Sequence, residues 1–313
     1  MQAMRLHAYG GPLAMEDIPA PAITDDDVLL KVRSTAVNHL DLAEASAAFR
    51  NIFPIDLPWI PGHEFSGVVE RVGRAVNGFA PGDEVFGNSQ SGAYAEYLAV
   101  RPAAIVKKPP NLSHEEAASV PVAAQTAWQG IFTHARLAKG QTILIHGGAG
   151  GVGAYAVQLA AQAGANVIVT ASGDDKAYLM SIGASRVIDY RTVRFENEVP
   201  DKVDVVFDLI GGETQQRSFQ LLKKGGYLVA ANQPVSPQEA AKHEVTGLMM
   251  NLTPSAEVLS RIARLLEEGS LRADVANVYA LNDAAHAWKD MAGGPASAAS
   301  TRRRHGKVIL RVA

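Results

Sequence analysis

The chain has 313 residues, 47% of them hydrophobic, and a formal net charge of −3 at pH 7. This length suggests about two domains of ~100–200 residues each. The interspersed charges argue against a nucleic-acid partner, and the basic run Arg302-Arg303-Arg304 is interpreted as a solvated loop. With no secretory signal and no apolar run of about 18 residues, we expect no membrane partner and a cytoplasmic enzyme. The absence of cysteine excludes disulfides, a thiolate nucleophile and cysteine-ligated zinc.

The N-terminal third has the pattern of a β-rich domain. Short apolar or alternating runs are separated by turns that contain glycine and proline. This spacing predicts a small barrel or sandwich rather than a parallel sheet. The predicted strands are Met4–His7, Val28–Ser34, Ser66–Val72, Glu84–Phe86 and Ala95–Val100.

From about residue 113 the hydrophobic period becomes helical. Ser113 and Glu116 have the spacing of a capping box, which marks a helix start. We predict helices over Glu115–Ala118 and Val122–Phe132. The apolar run Thr142–His146 then predicts a buried strand.

A glycine-rich turn follows this strand and leads into a helix. Its glycines satisfy G-x-G-x-x-G, in which one glycine makes the turn, one lets backbone N–H groups approach a pyrophosphate, and one lets the helix pack on the strand. Because the strand and the helix are both present, the context favours a dinucleotide site over an unliganded glycine loop. The predicted cofactor-binding residues of the turn are Gly148, Ala149, Gly150, Gly151, Val152 and Gly153.

The following segments alternate between strands and helices, which predicts a doubly wound parallel sheet and an α/β fold. The predicted strands are Asn166–Thr170, Arg186–Ile188, Val203–Asp208 and Gly226–Ala230, and the helices are Asp175–Ile182 and Thr214–Leu222. The remaining predicted segments are a loop from Pro234 to Thr253, a helix at Ala256–Glu267, the segment Val275–Tyr279, a helix at Asp283–Met291, a mobile loop at Ala292–Ser300 and a final strand at Lys307–Val312.

The end of the second parallel strand bears on the choice between NADPH and NADH. NAD-selective sites place an acid about 20 residues after the glycines, whereas NADP sites have room and positive charge there. Residues 169–173 contain no acid, and Lys176 follows within reach, so the sequence favours NADPH. Asp174 and Asp175 leave an alternative open, because either carboxylate, folded back to the ribose, would shift the preference toward NADH.

Several motifs are spread over nearly the whole chain: MRLHAYGGPLAMEDIPAP at 4–21, VNHLDL at 37–42, PGHEFSGVVERVG at 61–73, GDEVFG at 82–87, GAYAEYLAV at 92–100, PVAAQTAW at 121–128, HGGAGGVG at 146–153 and GKVIL at 306–310. Together they resemble the zinc-free quinone oxidoreductase branch of the medium-chain dehydrogenase/reductase superfamily. The resemblance implies a GroES-like β-barrel catalytic domain at 1–121 and 254–313, and a Rossmann NADPH-binding domain at 122–253. It also implies that the last strand pairs far back in the sequence.

The resemblance also bears on metal binding. Zinc alcohol dehydrogenases of this superfamily hold a catalytic metal on two cysteines and one histidine, and these positions correspond here to Asn38, Val122 and His63. One imidazole and one amide make a poor zinc site. We therefore expect no metal, and interpret His63 and Glu64 as a structural or substrate-side remnant.

The resemblance assigns Ser172, Lys176 and Tyr190 to the 2′-phosphate of NADPH and adds Asn232 near the nicotinamide. Lys176 would supply charge, and the two hydroxyl groups would supply hydrogen bonds. The alternatives are an exposed helix lysine for Lys176 and a packed ring for Tyr190.

The predicted catalytic residues are Asn38, Asp41 and Thr126. We expect them around the nicotinamide at the carboxyl ends of the strands, in a cleft between the domains. Asp41 reads equally well as a buried support of its loop, and Tyr94 is favoured as a strand residue over a proton donor. Met249 and Met250 are favoured as core residues over cleft-lining residues.

The function implied is metal-free transfer of hydride from NADPH to a quinone or an α,β-unsaturated carbonyl. Two alternatives stay open: an enoyl-thioester-type alkene reductase and a non-catalytic NADPH-binding sensor. The family commonly dimerises through its dinucleotide domain, so the resemblance also implies a homodimer.

Overall fold

The computed structural model describes residues 1–90, 92–293 and 305–312. The chain divides into two compact units, one combining Met1–Val122 with Pro254–Ala313 and the other consisting of Ala123–Thr253. The first unit is therefore built from both ends of the chain and the second from its middle. None of the helices in the described ranges has the length and apolar character needed to cross a membrane.

The elements are numbered in chain order. The strands are β1 (Gln2–Leu6), β2 (Leu13–Asp17), β3 (Val28–Ala36), β4 (Glu64–Val72), β5 (Glu84–Asn88), β6 (Tyr97–Val100), β7 (Ile105–Lys107), β8 (Thr142–His146), β9 (Asn166–Ala171), β10 (Arg186–Asp189), β11 (Val203–Asp208), β12 (Leu222–Ala230), β13 (Thr246–Met249), β14 (Val275–Ala280) and β15 (Lys307–Arg311). The α-helices are α1 (His39–Ala45), α2 (His114–Ala118), α3 (Pro121–Trp128), α4 (Gly151–Gln162), α5 (Lys176–Ser181), α6 (Gly212–Ser218), α7 (Pro237–Lys242), α8 (Ala256–Glu267) and α9 (Ala284–Gly293). A π-helical segment, Gln129–His134, continues α3.

The first unit is organised around a seven-stranded sheet with the order β14-β15-β3-β4-β5-β7, in which β6 also pairs with β3. Its β strands enclose a core of alternating apolar residues, such as Val28, Leu30 and Val32 of β3. The last strand, β15, runs antiparallel to β3, with Ile309 opposite Ala36, and parallel to β14. The prediction that the final strand pairs far back in the sequence is confirmed.

The predicted capping box at the start of α2 is also confirmed. Ser113 Oγ accepts a hydrogen bond from the Glu116 backbone N–H at 3.2 Å, and the Glu116 carboxylate accepts one from the Ser113 N–H at 2.8 Å. The two side chains thus satisfy backbone donors that have no partner inside the helix, which fixes where α2 begins.

The second unit contains a six-stranded parallel sheet with the order β10-β9-β8-β11-β12-β13. When β8 is numbered 1 and the others follow in chain order, the strands lie in the order 3-2-1-4-5-6, which is the strand order of a Rossmann fold. Its central strand β8 carries three consecutive fully buried residues, Ile143, Leu144 and Ile145. A strand buried on both faces is typical of a parallel sheet covered by helices on both sides. The predicted α/β fold class, with a GroES-like and a Rossmann domain, is confirmed.

The prediction of a loop from Pro234 to Thr253 is wrong, because the segment contains α7 and β13. Strand β13 extends the parallel sheet beyond β12. Its residues are exposed or half-buried. Because such an edge strand has no continuous run of buried apolar residues, the hydrophobic pattern of the sequence does not reveal it. Met250 lies in the core, whereas Met249 is 40% exposed.

The boundary between α6 and β12 was also placed wrongly. Helix α6 ends at Ser218, and β12 begins at Leu222, four residues earlier than the predicted Gly226. The exposed residues Lys223, Lys224 and Gly225 interrupt β12 after Leu222, so the hydrophobic pattern shows only its second half. The short elements β2, α1 and β7 were not predicted.

Helix α9 extends to Gly293, so the first two residues of the predicted mobile loop are helical. The rest of that loop, and the Arg302-Arg303-Arg304 cluster, lie outside the described residues.

Candidate functional site

The glycine turn lies directly between β8 and α4. Gly147 has a φ of 75°, which glycine adopts without strain. The backbone N–H groups of Gly147 and Gly148 donate to the Thr170 carbonyl of β9, at 3.2 and 3.3 Å. Gly150 is the N-cap residue of α4. The turn is therefore tied to the neighbouring strand and delivers the chain directly into a helix N-terminus.

The three fingerprint glycines differ in the space around them. A Cβ on Gly148 would lie 2.1 Å from Val169 Cγ1, and a Cβ on Gly153 would lie 2.3 Å from the Gly147 carbonyl oxygen. A Cβ on Gly150 would find its nearest atom, the same oxygen, at 3.4 Å. Gly148 and Gly153 thus permit close packing within the protein, whereas Gly150 leaves room on its open side. This cradle fits a pyrophosphate, which needs backbone N–H groups and space at a helix N-terminus.

The other predicted cofactor residues lie at the same edge of the parallel sheet. Ser172 follows β9 and is 8% exposed, Tyr190 follows β10 and is 58% exposed, and Asn232 is exposed two residues after β12. Lys176 is the first residue of α5 and is exposed. Because the carboxyl ends of parallel strands share one edge, the fold brings these side chains to the edge that carries the glycine turn.

In the first unit, Asn38 belongs to a buried polar network. Its Nδ2 donates to Glu64 Oε1 at 3.0 Å, and its Oδ1 accepts a hydrogen bond from Lys307 Nζ. Lys307 also forms an ion pair with Glu64 Oε1 at 2.8 Å, while Glu64 Oε2 accepts from the Val122 N–H at 2.7 Å. The Glu64 carboxylate is fully buried, and these contacts compensate its charge.

Asp41 is the next member of this buried region. It is 0% exposed, and its carboxylate accepts hydrogen bonds from the N–H groups of Asn38 and Gly62 and from the Tyr94 hydroxyl. Burial raises the pKa of Asp41 and raises the pKa of Tyr94 well above its usual value. These contacts are those of a buried support of the loop, and a catalytic role of Asp41 stays a prediction. The favoured prediction that Tyr94 belongs to a strand is wrong, because Tyr94 lies three residues before β6.

His63 lies beside Asp41. Its Nε2 donates to Glu44 Oε2 at 2.7 Å and is 3.7 Å from Asp41 Oδ1. Burial opposes the charged imidazolium, but the hydrogen bond to Glu44 and the nearby carboxylates outweigh it and raise the pKa of His63. The structure therefore favours a charged His63 paired with Glu44.

Comparison with known proteins defines the family. The sequence profile described as alcohol dehydrogenase GroES-like domain matches residues 24–110, and the one described as zinc-binding dehydrogenase matches residues 182–310. The chain is 34% identical over 286 residues to the NADPH-dependent alkenal/one oxidoreductase of Arabidopsis thaliana, covering 87% of this chain and 71% of that protein. It is 35% identical over 267 residues to the 2-methylene-furan-3-one reductase of Solanum lycopersicum, covering 82% of this chain and 66% of that protein.

The solved structure of the quinone oxidoreductase from Coxiella burnetii superposes with a TM-score of 0.90 at 30% identity, covering 100% of this chain and 99% of that one. The chain belongs to the quinone oxidoreductase branch of the medium-chain dehydrogenase/reductases. As a member of this family it is an oxidoreductase that binds a nicotinamide dinucleotide.

The residues at the positions of the zinc ligands of the superfamily's zinc alcohol dehydrogenases contact one another and Lys307 in this structure. Asn38 and the Val122 N–H both bind Glu64, and the Lys307 ammonium already provides a cation to Asn38 and Glu64. Single ligand atoms of Asp41, Glu44 and His63 lie within 4.8 Å of one another. These side chains are held by hydrogen bonds, three to the Asp41 oxygens and one between His63 Nε2 and Glu44 Oε2.

Thr126 of α3 is 8% exposed and lies in the second unit. Its contact with the nicotinamide stays a prediction, as do the catalytic role of Asn38 and the cofactor contacts of the residues after β9, β10 and β12.

Sequence reasoning did not single out Glu44, Lys307 or Arg191. Glu44 lies three residues after Asp41 on α1, and therefore on the same face of that helix. Lys307 directly precedes three apolar residues of β15, which was the available signal that its ammonium is buried and paired. Arg191 directly follows Tyr190 and makes an ion pair with Asp174.

Proposed function

We propose that this protein transfers hydride from NADPH to a quinone or to the β-carbon of an α,β-unsaturated carbonyl, without a metal ion. The observation that carries the proposal is the glycine turn, in which Gly150 leaves space for a pyrophosphate at the N-terminus of α4. The names of the similar proteins specify quinones, alkenals and alkenones, and 2-methylene-furan-3-one. These acceptors share a carbonyl group conjugated to a carbon–carbon double bond.

The preference for NADPH is supported by the residues after β9 and β10. Ser172 stands where an NAD-selective site would have an acid, and Lys176 contributes positive charge. The hydroxyl groups of Ser172 and Tyr190 and the Lys176 ammonium would bind the 2′-phosphate by charge-assisted hydrogen bonds. The N–H groups at the start of α4 would bind the pyrophosphate.

The bound nicotinamide supplies the hydride, so the protein has to orient the reactants and stabilise the charge that develops on the acceptor oxygen. Thr126 is the proposed contact of the nicotinamide, and Asn38 is the proposed contact of the substrate. Glu64 and Lys307 hold both ends of the Asn38 amide and so limit its orientation. Asp41 is a positioning residue, because it holds the backbone of Asn38 and Gly62 without touching the substrate. A proton from solvent completes the reduction.

The test is to measure NADPH and NADH oxidation by the purified protein with 9,10-phenanthrenequinone and with a short 2-alkenal, before and after treatment with a zinc chelator. We expect turnover that prefers NADPH and does not change on chelation. Loss of activity on chelation, together with stoichiometric zinc by metal analysis, would contradict the metal-free mechanism.

The same assay separates the alternatives. Bound NADPH that no quinone or enone consumes would favour the sensor, and turnover only with an enoyl thioester would favour the alkene reductase of that class. A homodimer and a cytoplasmic location remain predictions.

A further inference from the structure

The ends of β9 and β10 lie side by side at the edge of the sheet proposed to bind the 2′-phosphate. The strands pair in parallel, with Asp189 opposite Ala171. Ser172 and Tyr190 are the next residues on the two strands and therefore continue from adjacent positions. Any charged side chain held at these two strand ends bears directly on the choice between NADPH and NADH.

One carboxylate oxygen lies between two hydrogen-bond donors at this edge. Asp174 Oδ2 accepts from Ser172 Oγ at 3.4 Å and from Arg191 Nη1 at 3.4 Å. Strong charge-assisted hydrogen bonds are shorter, about 2.7–2.9 Å. The side chains of Asp174 and Arg191 are also 50% and 44% exposed. Because exposed ion pairs are weak, this one separates readily when a stronger anion arrives.

Arg191 has further contacts that keep it at this edge. Its backbone N–H donates to Asp189 Oδ1 at 3.0 Å, and its guanidinium carbon lies 6.0 Å from the centroid of the Tyr190 ring. These contacts do not involve Asp174. The first contact fixes the Arg191 backbone at the end of β10, and the second leaves the guanidinium a partner, the Tyr190 ring, when the carboxylate moves away.

A 2′-phosphate offers the same donors a better acceptor than Asp174 does. Guanidinium groups bind phosphate oxygens in a bidentate geometry, with short charge-assisted hydrogen bonds. Asp174 presents only one oxygen to Arg191 and Ser172, at a long distance. Without a 2′-phosphate, as in NADH, nothing displaces the carboxylate.

We infer that Asp174 occupies the 2′-phosphate position of the nucleotide site, between Ser172 and Arg191, and that NADPH binds by displacing it. Arg191 is then a 2′-phosphate ligand in addition to Ser172, Lys176 and Tyr190. Asp174 sets the degree of preference, because its carboxylate competes with the phosphate for the same donors. This inference deepens the proposed function and rests on the NADPH preference proposed there.

The test is to measure the binding of 2′,5′-ADP and 5′-AMP to the full chain by calorimetry, since these probes differ only in the 2′-phosphate. We expect Arg191→Gln to weaken 2′,5′-ADP binding by about tenfold or more, the range for a lost charge-assisted contact. We expect Asp174→Asn to tighten it by about threefold or more, because the competing pair is lost. Binding of 5′-AMP should change by less than about twofold in both variants.

Arg186→Gln is a matched control. Arg186 lies at the opposite end of β10, its side chain is 43% exposed, and it pairs with Glu198 at 2.7 Å. The control therefore removes one charge from a comparable ion pair at a distance from the proposed site. We expect it to leave 2′,5′-ADP binding within about twofold of wild type.

The double variant distinguishes displacement from general repulsion. If Asp174 competes for Arg191 as well as for Ser172, Asp174→Asn should tighten binding more in the wild type than in the Arg191→Gln background. An equal gain in both backgrounds, or no effect of either single variant, would overturn the inference while leaving the NADPH preference intact. Equal affinity of the wild type for 2′,5′-ADP and 5′-AMP would refute the NADPH preference, and the inference with it.

Discussion

Lys307 and Glu64 form an ion pair inside the first unit, with side chains 8% and 0% exposed. Burying one charge without its partner costs far more than replacing both charges by neutral groups. Glu64 also accepts from Asn38 and from the Val122 N–H, so its carboxylate keeps two donors when Lys307 is removed. The free-energy cost therefore comes mainly from the uncompensated negative charge.

We predict that Lys307→Met lowers the free energy of unfolding by about 3–5 kcal/mol, measured by urea denaturation. Combining it with Glu64→Gln should recover most of that loss, because the double variant no longer buries a net charge. A double variant as unstable as the single one would show that packing, and not the uncompensated charge, determines the effect.

At the scale of elements, the glycine turn assigns a separate role to each glycine. The surrounding atoms leave no room for a side chain at Gly153, whereas they leave room for one at Gly150. A side chain at Gly153 therefore disturbs folding, whereas one at Gly150 projects toward the proposed pyrophosphate. The difference allows cofactor binding and stability to be tested separately within four residues of chain.

We predict that Gly150→Val folds but binds NADPH at least about tenfold more weakly, because it blocks the approach of the pyrophosphate. Circular dichroism and urea denaturation report folding, and fluorescence titration reports binding. Gly153→Ala is the comparison, and it should destabilise the protein by about 1–3 kcal/mol through overpacking. Unchanged NADPH affinity in a folded Gly150→Val protein would contradict the assignment.

The elements that sequence patterns predicted best have strong local signals. Helix α8 has the ends that the sequence predicted, and the structure shows strong local features there, an apolar face of Leu259, Ile262 and Leu266 and a cap at Ser255. Strand β8 was predicted for its continuous apolar run. Strand β13 was missed, because an edge strand is stabilised by its pairing with β12 and not by a buried face of its own.

At the scale of the whole molecule, His146 links stability to pH. It is 0% exposed at the end of β8, with Nδ1 2.9 Å from Thr170 Oγ1 and Nε2 2.8 Å from Ser218 Oγ. Ser218 donates its own proton to the Thr214 carbonyl, so it accepts from His146 Nε2–H, and Nδ1 accepts from Thr170. This arrangement requires the neutral ring, and burial lowers the pKa of His146 from 6.5 to about 4.

We predict that the titration of His146 lowers the free energy of unfolding by about 3 kcal/mol as the pH falls from 6.5 to 4. The unfolded chain binds a proton on His146 below about pH 6.5, whereas the folded protein binds it only near pH 4, so acidification favours unfolding. When the free energy of unfolding is measured by urea denaturation across this pH range, it should decline less steeply with falling pH for His146→Gln than for wild type. The exposed control His286→Gln should keep the wild-type slope, and parallel slopes for all three proteins would contradict the prediction.

The sequence by itself determined the strand, glycine turn and helix of the dinucleotide site, the α/β fold class and the family. These features are carried by residues close together in the chain, because periodicity and turn chemistry act over a few residues. Only the tertiary structure decided that Lys307 reaches Asn38 and Glu64, that Asp41 is enclosed, and that Arg191 shares Asp174 with Ser172. Those contacts depend on which strands become neighbours and which charges are removed from water, and neither is encoded in a local pattern.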